Sequence, residues 1–111
     1  MKRFGLTALL RDDPAAIEAY ERYHLDTWPE VLEDGLKAGV IQTCIYRHGR
    51  QLFMYMETDD AYQVDTFAGK QSPRTLEWQR LMTSFMEVLP GSAPGLPWVE
   101  MSVVVITDRA E

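Results

Sequence analysis

The sequence has little of what several kinds of site and compartment require. Its one cysteine, Cys44, permits no internal disulfide and is too few for a structural zinc site. No apolar stretch approaches the length that spans a bilayer, and residues 1–6 lack the apolar segment of a secretion signal. We therefore expect a cytoplasmic protein with no metal and no membrane contact. Cys44 is interpreted as a small packed hydrophobe.

Basic residues are also scarce. The chain has 11 Lys and Arg against 17 Asp and Glu, which gives a formal net charge of -6, and it has no basic run. This balance argues against nucleic acid as a partner. Glycine-rich phosphate loops and G-x-S-x-G elbows are absent from the sequence, so we expect no nucleotide cofactor and no serine nucleophile.

The remaining composition is that of one ordinary globular domain. Hydrophobic residues make up 46% and charged residues 25% of 111 positions, and no internal repeat is visible. A chain of this length supports one core but not two. We expect a single domain over residues 1–111.

Hydrophobic periodicity predicts the first half of the fold. Apolar residues alternate over residues 2–11, which predicts a strand with one buried face. Asp12-Asp13-Pro14 favours a helix start, and Thr27-Trp28-Pro29-Glu30 matches a capping box for a second helix that ends at Gly39. Two strands at 40–46 and 52–56 follow, joined by a turn at 47–50.

For the second half of the chain, the sequence predicts two helices and a final strand. Residues 61–68 predict a short helix, and Ser72-Pro73 opens a longer one. Its apolar stripe consists of Trp78, Leu81, Met82, Phe85, Met86 and Leu89. The β-branched run Val103–Ile106 predicts the final strand.

The element order β, α, α, β, β, α, β predicts an α+β fold of ferredoxin-like type, with an antiparallel sheet and helices on one face. The strand at 52–56 is apolar on both of its faces. Its second face therefore needs a cover, and we expect a homodimer joined through the sheets, a dimeric α+β barrel.

A cluster on the first helix is the best candidate for chemistry. Tyr20 and His24 lie one helical turn apart, and Trp28 follows after four residues. Imidazole exchanges protons near neutral pH, and aromatic rings suit sugars. Trp78 and Gln79 offer a stacking ring beside an amide. Two interpretations stay open, a sugar site and a set of ordinary core residues.

The other polar candidates are weaker. No second His follows His24 at i+4, and His48 falls in the predicted turn, so a metal site is not expected. The pairs Asp12-Asp13 and Asp59-Asp60 sit in predicted turns as solvated caps. Glu57, at the end of an apolar strand, is a candidate second site residue.

These residues resemble the L-rhamnose mutarotase family, and within it the branch associated with L-fucose. The resemblance covers nearly the whole chain. Its strongest segments are Tyr20–His24 with Trp28–Val31, and it continues through Ile45-Tyr46, Leu52–Glu57, Trp78 with Leu81-Met82, and Leu89-Pro90 to Trp98-Val99.

The resemblance implies a dimeric barrel, no cofactor, and anomer exchange at C1 of a 6-deoxyhexose. It implies that His24 is the proton donor and that Tyr20 contacts the sugar. Thr43 stands where the rhamnose branch has a second contacting Tyr, Gln79 where it has a second Trp, and Ser102 where a Glu is expected. L-fucose is therefore favoured, with L-rhamnose next. Together with the candidates from the residue analysis, the predicted sugar-contacting set is Tyr20, Thr43, Tyr46, Glu57, Trp78 and Gln79.

The working hypothesis is a cofactor-free mutarotase. His24 protonates the ring oxygen, Tyr20 or Glu57 assists at the anomeric hydroxyl, and Trp78 covers the apolar face of the sugar. A cofactor-free oxygenase on a similar barrel and a non-catalytic sugar-binding module are the alternatives.

Overall fold

A computed structural model of the chain describes residues 1–62, 71–92 and 97–107. In chain order its elements are β1 (Lys2–Leu10), α1 (Pro14–His24), α2 (Pro29–Ala38), β2 (Val40–His48), β3 (Gln51–Thr58), α3 (Pro73–Thr83), β4 (Met86–Glu87) and β5 (Val99–Glu100). Most of the short helix predicted at 61–68 lies outside the described residues. Within these ranges, every helix is too short or too polar to cross a bilayer.

The strands form one antiparallel sheet in the order β2-β3-β1-β4, with β5 also paired to β1. The helices pack on one face of it, where Ala8, Leu10 and Leu52 are almost fully buried. The predicted α+β arrangement, with an antiparallel sheet and helices on one face, is therefore confirmed.

The other sheet face, which we call the open face, carries the alternate side chains of the same strands. Tyr46 and Phe53 are opposite each other in the β2–β3 register, and their rings stack with centroids 6.1 Å apart. Tyr46 is 61% exposed and Phe53 is 38% exposed. A single protomer thus leaves aromatic surface uncovered on this side.

Both helices start within the predicted segments, but the cap of α2 differs from the prediction. Asp13 caps α1 by accepting from the Ala15 amide at 3.0 Å. The α2 cap residue is Trp28, whose side chain makes no capping bond. Thr27 instead donates its hydroxyl to the His24 carbonyl at 3.4 Å, so the predicted capping box is wrong.

The last helix is shorter than its apolar stripe predicts. It ends at Thr83, and Phe85 and Met86 lie beyond it. The Arg11 amide donates to the Phe85 carbonyl at 2.9 Å, and Met86 pairs with Leu10 in β4. Because Met86 takes a ladder position beside β1 and does not continue the helix, the extension of the helix to Leu89 is wrong.

The final strand also lies elsewhere. Pairing to β1 occurs at Val99–Glu100 and ends with the Met101 amide, which donates to the Gly5 carbonyl at 2.7 Å. The predicted strand at Val103–Ile106 pairs with no described residue of its own protomer, and its side chains are 53% to 96% exposed. Sequence pattern reports the tendency to form a strand but not the strand's partner.

Gly39 ends α2 in a conformation that other residues adopt at a cost, since its φ is 100°. An added Cβ would also meet the Asp59 carboxylate. We expect Gly39→Ala to lower the free energy of unfolding by about 2 kcal/mol in urea titrations. Gly35→Ala is the matched control, because its Cβ would lie 3.8 Å from Val40 Cβ in ordinary contact. This control should stabilise by about 0.5–1 kcal/mol; equal effects at both positions would contradict the argument.

Candidate active site

His24 is the last residue of α1 and is half-buried. Its Nδ1 lies 2.8 Å from the backbone carbonyl oxygen of Tyr20, one helical turn earlier. A carbonyl oxygen only accepts hydrogen bonds, so in the neutral ring Nδ1 carries the hydrogen and donates it. Nε2 is left with the lone pair. The backbone of α1 therefore fixes one tautomer of the imidazole.

Burial sets the protonation state of this pair. It lowers the pKa of His24 below its ordinary value of 6.5, while the hydrogen bond to the Tyr20 carbonyl opposes part of that decrease. Burial also raises the pKa of the Tyr20 phenol well above its ordinary range. At neutral pH the site thus contains a neutral imidazole able to accept a proton and a phenol that keeps its own.

Aromatic rings surround the imidazole. The Tyr20 ring lies 4.3 Å from it by centroids, tilted at 36°, and the Trp78 ring meets it edge-on at 5.2 Å. Trp28 meets Trp78 edge-on at 5.1 Å. We call Tyr20, His24, Trp78 and Trp28 the aromatic column. Tyr20 and Trp78 are 3% and 6% exposed, so packing fixes these rings in place.

Two further residues contact these rings and were not predicted from the sequence. The Arg74 guanidinium lies 3.5 Å over the Trp28 ring, a cation–π contact, and its Nη1 donates a hydrogen bond to Glu77 Oε2 at 3.0 Å. Tyr23 meets Trp78 at 90° with centroids 6.2 Å apart. Arg74 is four residues before Trp78 on α3, so the two share a helix face. Its contact is with Trp28, on a different segment, and no sequence spacing indicates that contact.

The remaining candidates divide between the two sheet faces. Thr43 pairs with Met56 and lies on the face that carries the helices, as His24 does. Gln79 follows Trp78 on α3 and is half-buried. Tyr46 lies on the open face. Within one protomer, therefore, Thr43 and Gln79 lie on the side of the sheet that carries the helices, and Tyr46 lies on the opposite side.

Glu57 also lies on the open face. It pairs with Arg3 across the β1–β3 ladder, and it accepts a hydrogen bond from the Tyr55 hydroxyl at 2.6 Å. That bond, to a carboxylate acceptor, raises the pKa of Tyr55. Since Tyr55 is two residues away on the same strand, both side chains project from the sheet away from the helices. One protomer does not bring Glu57 to His24.

The fold and the site together define a small α+β protein with one imidazole set among aromatic rings. In the described ranges, no three His, Cys, Asp or Glu side chains gather closely enough to hold a metal ion. The chain belongs to the L-rhamnose mutarotase family, whose sequence model matches residues 3–105. It is 38% identical over 114 residues to the L-fucose mutarotase of Xanthomonas campestris, covering 99% of this chain and 91% of that protein.

Solved structures agree with the fold. An L-rhamnose mutarotase from Formosa agariphila superposes with a TM-score of 0.73 at 18% identity, covering 97% of this chain and all of that one. A dimeric ferredoxin-like protein from an uncultured marine organism superposes at 0.59 and 15% identity, covering 97% of this chain and 91% of that one. The predicted ferredoxin-like fold is confirmed.

Proposed function

We propose that the protein is a sugar mutarotase that exchanges the α and β anomers of a 6-deoxyhexose, with L-fucose as the favoured substrate. Family membership and the likeness to an L-fucose mutarotase support the reaction class. The observation that carries the proposal is His24, held as a neutral imidazole with Nδ1 engaged and Nε2 basic. A cytoplasmic location stays a prediction of the sequence.

The proposed reaction is a proton relay between two oxygens of the same sugar carbon. Nε2 of His24 accepts the proton of the anomeric hydroxyl, and O1 becomes the aldehyde oxygen as the bond from C1 to the ring oxygen breaks. The imidazolium then donates that proton to the released ring oxygen. Rotation about C1–C2 and the reverse steps close the ring on the other face. Atoms and charge balance with one histidine, because the proton returns to the substrate.

The aromatic column offers surfaces that suit the sugar. The Trp78 ring supplies a flat face for the C–H side of the pyranose, and the Tyr20 phenol stays protonated as a hydrogen-bond donor. Thr43 offers a short hydroxyl from the sheet. These three, with Gln79, form the proposed contact set within one protomer; Tyr46 and Glu57 stay predictions that this geometry does not favour.

Anomer exchange measured by NMR tests the proposal. Magnetisation-exchange spectra of equilibrated L-fucose and L-rhamnose, with and without protein, report the exchange rate between anomeric proton signals. We expect the protein to accelerate anomer exchange in both sugars, with the larger rate constant for L-fucose. Exchange rates that stay at the buffer value for both sugars would remove the mutarotase assignment. A larger rate for L-rhamnose would reverse only the substrate order.

The protonation state of His24 predicts the pH dependence. Only the neutral ring has a free lone pair on Nε2, so protonation removes the acceptor. Because the pKa of His24 lies below 6.5, the protein-dependent rate should be at its plateau at pH 7 and should fall as pH decreases through that lower pKa. The buffer rate is subtracted at each pH. A rate that rises steadily as pH falls from 7 to 5 would contradict the neutral resting state.

We also propose that the working form is a homodimer. The open face exposes the stacked Tyr46 and Phe53 rings, with Thr7 opposite Phe53 on β1. Apolar surface of this kind is seldom left bare on a monomer. A structural neighbour is described as a dimeric ferredoxin-like protein, which supports the same arrangement. A two-fold axis would cover both open faces at once.

A further inference from the structure

Arg74 occupies a place that does not suit a cation. It lies in the first turn of α3, directly after Pro73. The N-terminus of a helix carries partial positive charge, so a guanidinium there is unfavourable to the helix. The Arg74–Glu77 ion pair joins side chains that are 45% and 60% exposed, and such surface pairs contribute little stability. Stabilisation of its own helix therefore does not explain Arg74.

The guanidinium instead covers an aromatic ring from another segment. Its central carbon lies 3.5 Å from the centroid of the Trp28 ring. Trp28 is half-buried and ends the connection between α1 and α2, where its side chain makes no capping bond. Glu77 Oε2 accepts a hydrogen bond from Arg74 Nη1 and so holds the guanidinium over the ring. Arg74 thus limits the orientations open to Trp28.

Hydrogen bonds hold the start of α3 against α2. Thr75 is 1% exposed, and its hydroxyl donates to the Glu30 carbonyl at 3.4 Å. The Ser72 amide donates to the Asp34 carboxylate at 2.8 Å. Because α2 begins directly after Trp28, these bonds fix the helix that carries the guanidinium relative to the ring that it covers.

The Trp28 ring is one contact away from the proposed sugar surface. It meets Trp78 edge-on with centroids 5.1 Å apart, and Trp78 meets His24 edge-on at 5.2 Å. Trp78 is 6% exposed and tightly packed, so its own ring has little freedom to turn. A change in the orientation of Trp28 therefore changes the space beside Trp78, where the sugar is proposed to lie.

We infer, on the basis of the proposed mutarotase function, that Arg74 is a positioning residue that acts on the sugar site through Trp28 and does not touch the substrate. The guanidinium keeps Trp28 in the orientation that gives the sugar surface its shape. Without it, that orientation is populated only part of the time, and the apparent dissociation constant of the sugar rises by the same factor. Bound sugar still meets an unchanged His24, so the rate constant of the bound state is unaltered.

Arg74→Ala tests this role in the anomer-exchange assay. We expect the KM for L-fucose to rise about 5-fold, the population ratio that a partly exposed cation–π contact maintains, with kcat within error. Arg74→Lys keeps the charge and should recover part of the loss. Arg80→Ala, the matched control, removes an exposed arginine from the last turn of α3 and should change neither parameter. An unchanged KM, or a fall in kcat alone, overturns the role.

A double-mutant cycle with Trp28→Leu shows whether Arg74 acts through the ring. If it does, Arg74→Ala should raise KM no further once Trp28 is absent. A direct contact with the sugar would give the same rise in both backgrounds and would overturn the indirect role. Urea titration excludes a general loss of structure: Arg74→Ala should keep the unfolding midpoint of the wild type. A lowered midpoint that accounts for the lost activity would also overturn it.

Indole N–H resonances in NMR spectra provide a readout without sugar. Trp28→Leu assigns the Trp28 signal by its absence. Arg74→Ala should shift and broaden that signal and leave the signal of Trp98, which is outside the aromatic column, in place. An unchanged Trp28 signal overturns the role whatever the sugar assay shows. The proposed function fails on a different result, a wild-type exchange rate that stays at the buffer value.

Discussion

Replacing His24 by alanine should slow protein-dependent anomer exchange on L-fucose by about 10²- to 10⁴-fold, the range that general acid–base catalysis contributes. The reason is specific to its geometry: Nδ1 is engaged by the Tyr20 carbonyl, and Nε2 is the proton acceptor. His24→Gln tests the same point with a side chain that keeps hydrogen bonding but does not titrate. Both variants are followed by magnetisation-exchange NMR.

His48→Ala is the matched control for His24. It removes the other histidine of the chain, which lies exposed at the end of β2, and should leave the exchange rate within error. Sugar binding by His24→Ala, measured by ligand-observed NMR, separates proton transfer from a binding module. Retained binding with lost exchange supports the relay. Sugar binding that is lost in His24→Ala, with no protein-dependent exchange in either the wild type or the variant, supports the module. An unaltered rate in His24→Ala removes this residue from the mechanism.

Trp78→Ala should have the largest effect on stability, a loss of about 3–5 kcal/mol in the free energy of unfolding. The side chain is 6% exposed and belongs to the main core cluster. It is the ring that Trp28, Tyr23 and His24 all contact edge-on. Its removal leaves a cavity and deprives three rings of a neighbour at once. Urea titration followed by circular dichroism measures the change.

Leu76→Ala on the same helix is the control, because Leu76 is 37% exposed and should cost little. Trp78→Phe keeps part of the packing and separates the two roles of the ring. We expect this variant to fold and to show weaker sugar binding, since a smaller ring covers less of the pyranose. A loss below about 1 kcal/mol in Trp78→Ala would show that the cluster repacks and that its rings are not fixed.

Local patterns predicted the central part of the fold well. Alternation in β1, the Asp13 cap of α1 and a turn between β2 and β3 all depend on neighbours close in sequence, and all three were confirmed. The turn is shorter than the predicted 47–50, because β2 continues through His48. The errors lie where a distant partner decides. Met86 fits the apolar stripe of a helix, but in the structure it pairs with Leu10 in the sheet. No sequence pattern shows which strand edge is available for pairing.

For the site, too, the contacts within one helix were predictable, and the positions that depend on strand register were not. The spacing of Tyr20 and His24 indicated a shared helix face, and their rings are in fact 4.3 Å apart. The face of a strand residue depends on register, which a single residue's chemistry does not reveal. Glu57 is chemically apt, but its register position places it on the open face. Arg74 was overlooked because a charge on a helix surface is ordinarily solvated.

Because His24 Nδ1 is hydrogen-bonded to a backbone carbonyl, the imidazole cannot pass a proton onward through that nitrogen. A side-chain partner such as a carboxylate or a hydroxyl could pass a proton onward, whereas an amide carbonyl does not keep one. Every proton that Nε2 accepts must therefore leave through Nε2. Ring opening followed by reclosure consumes and releases no net proton, so a reversible isomerisation suits such a base. A reaction that consumed or released a proton would leave the imidazole in the wrong charge state for the next turnover.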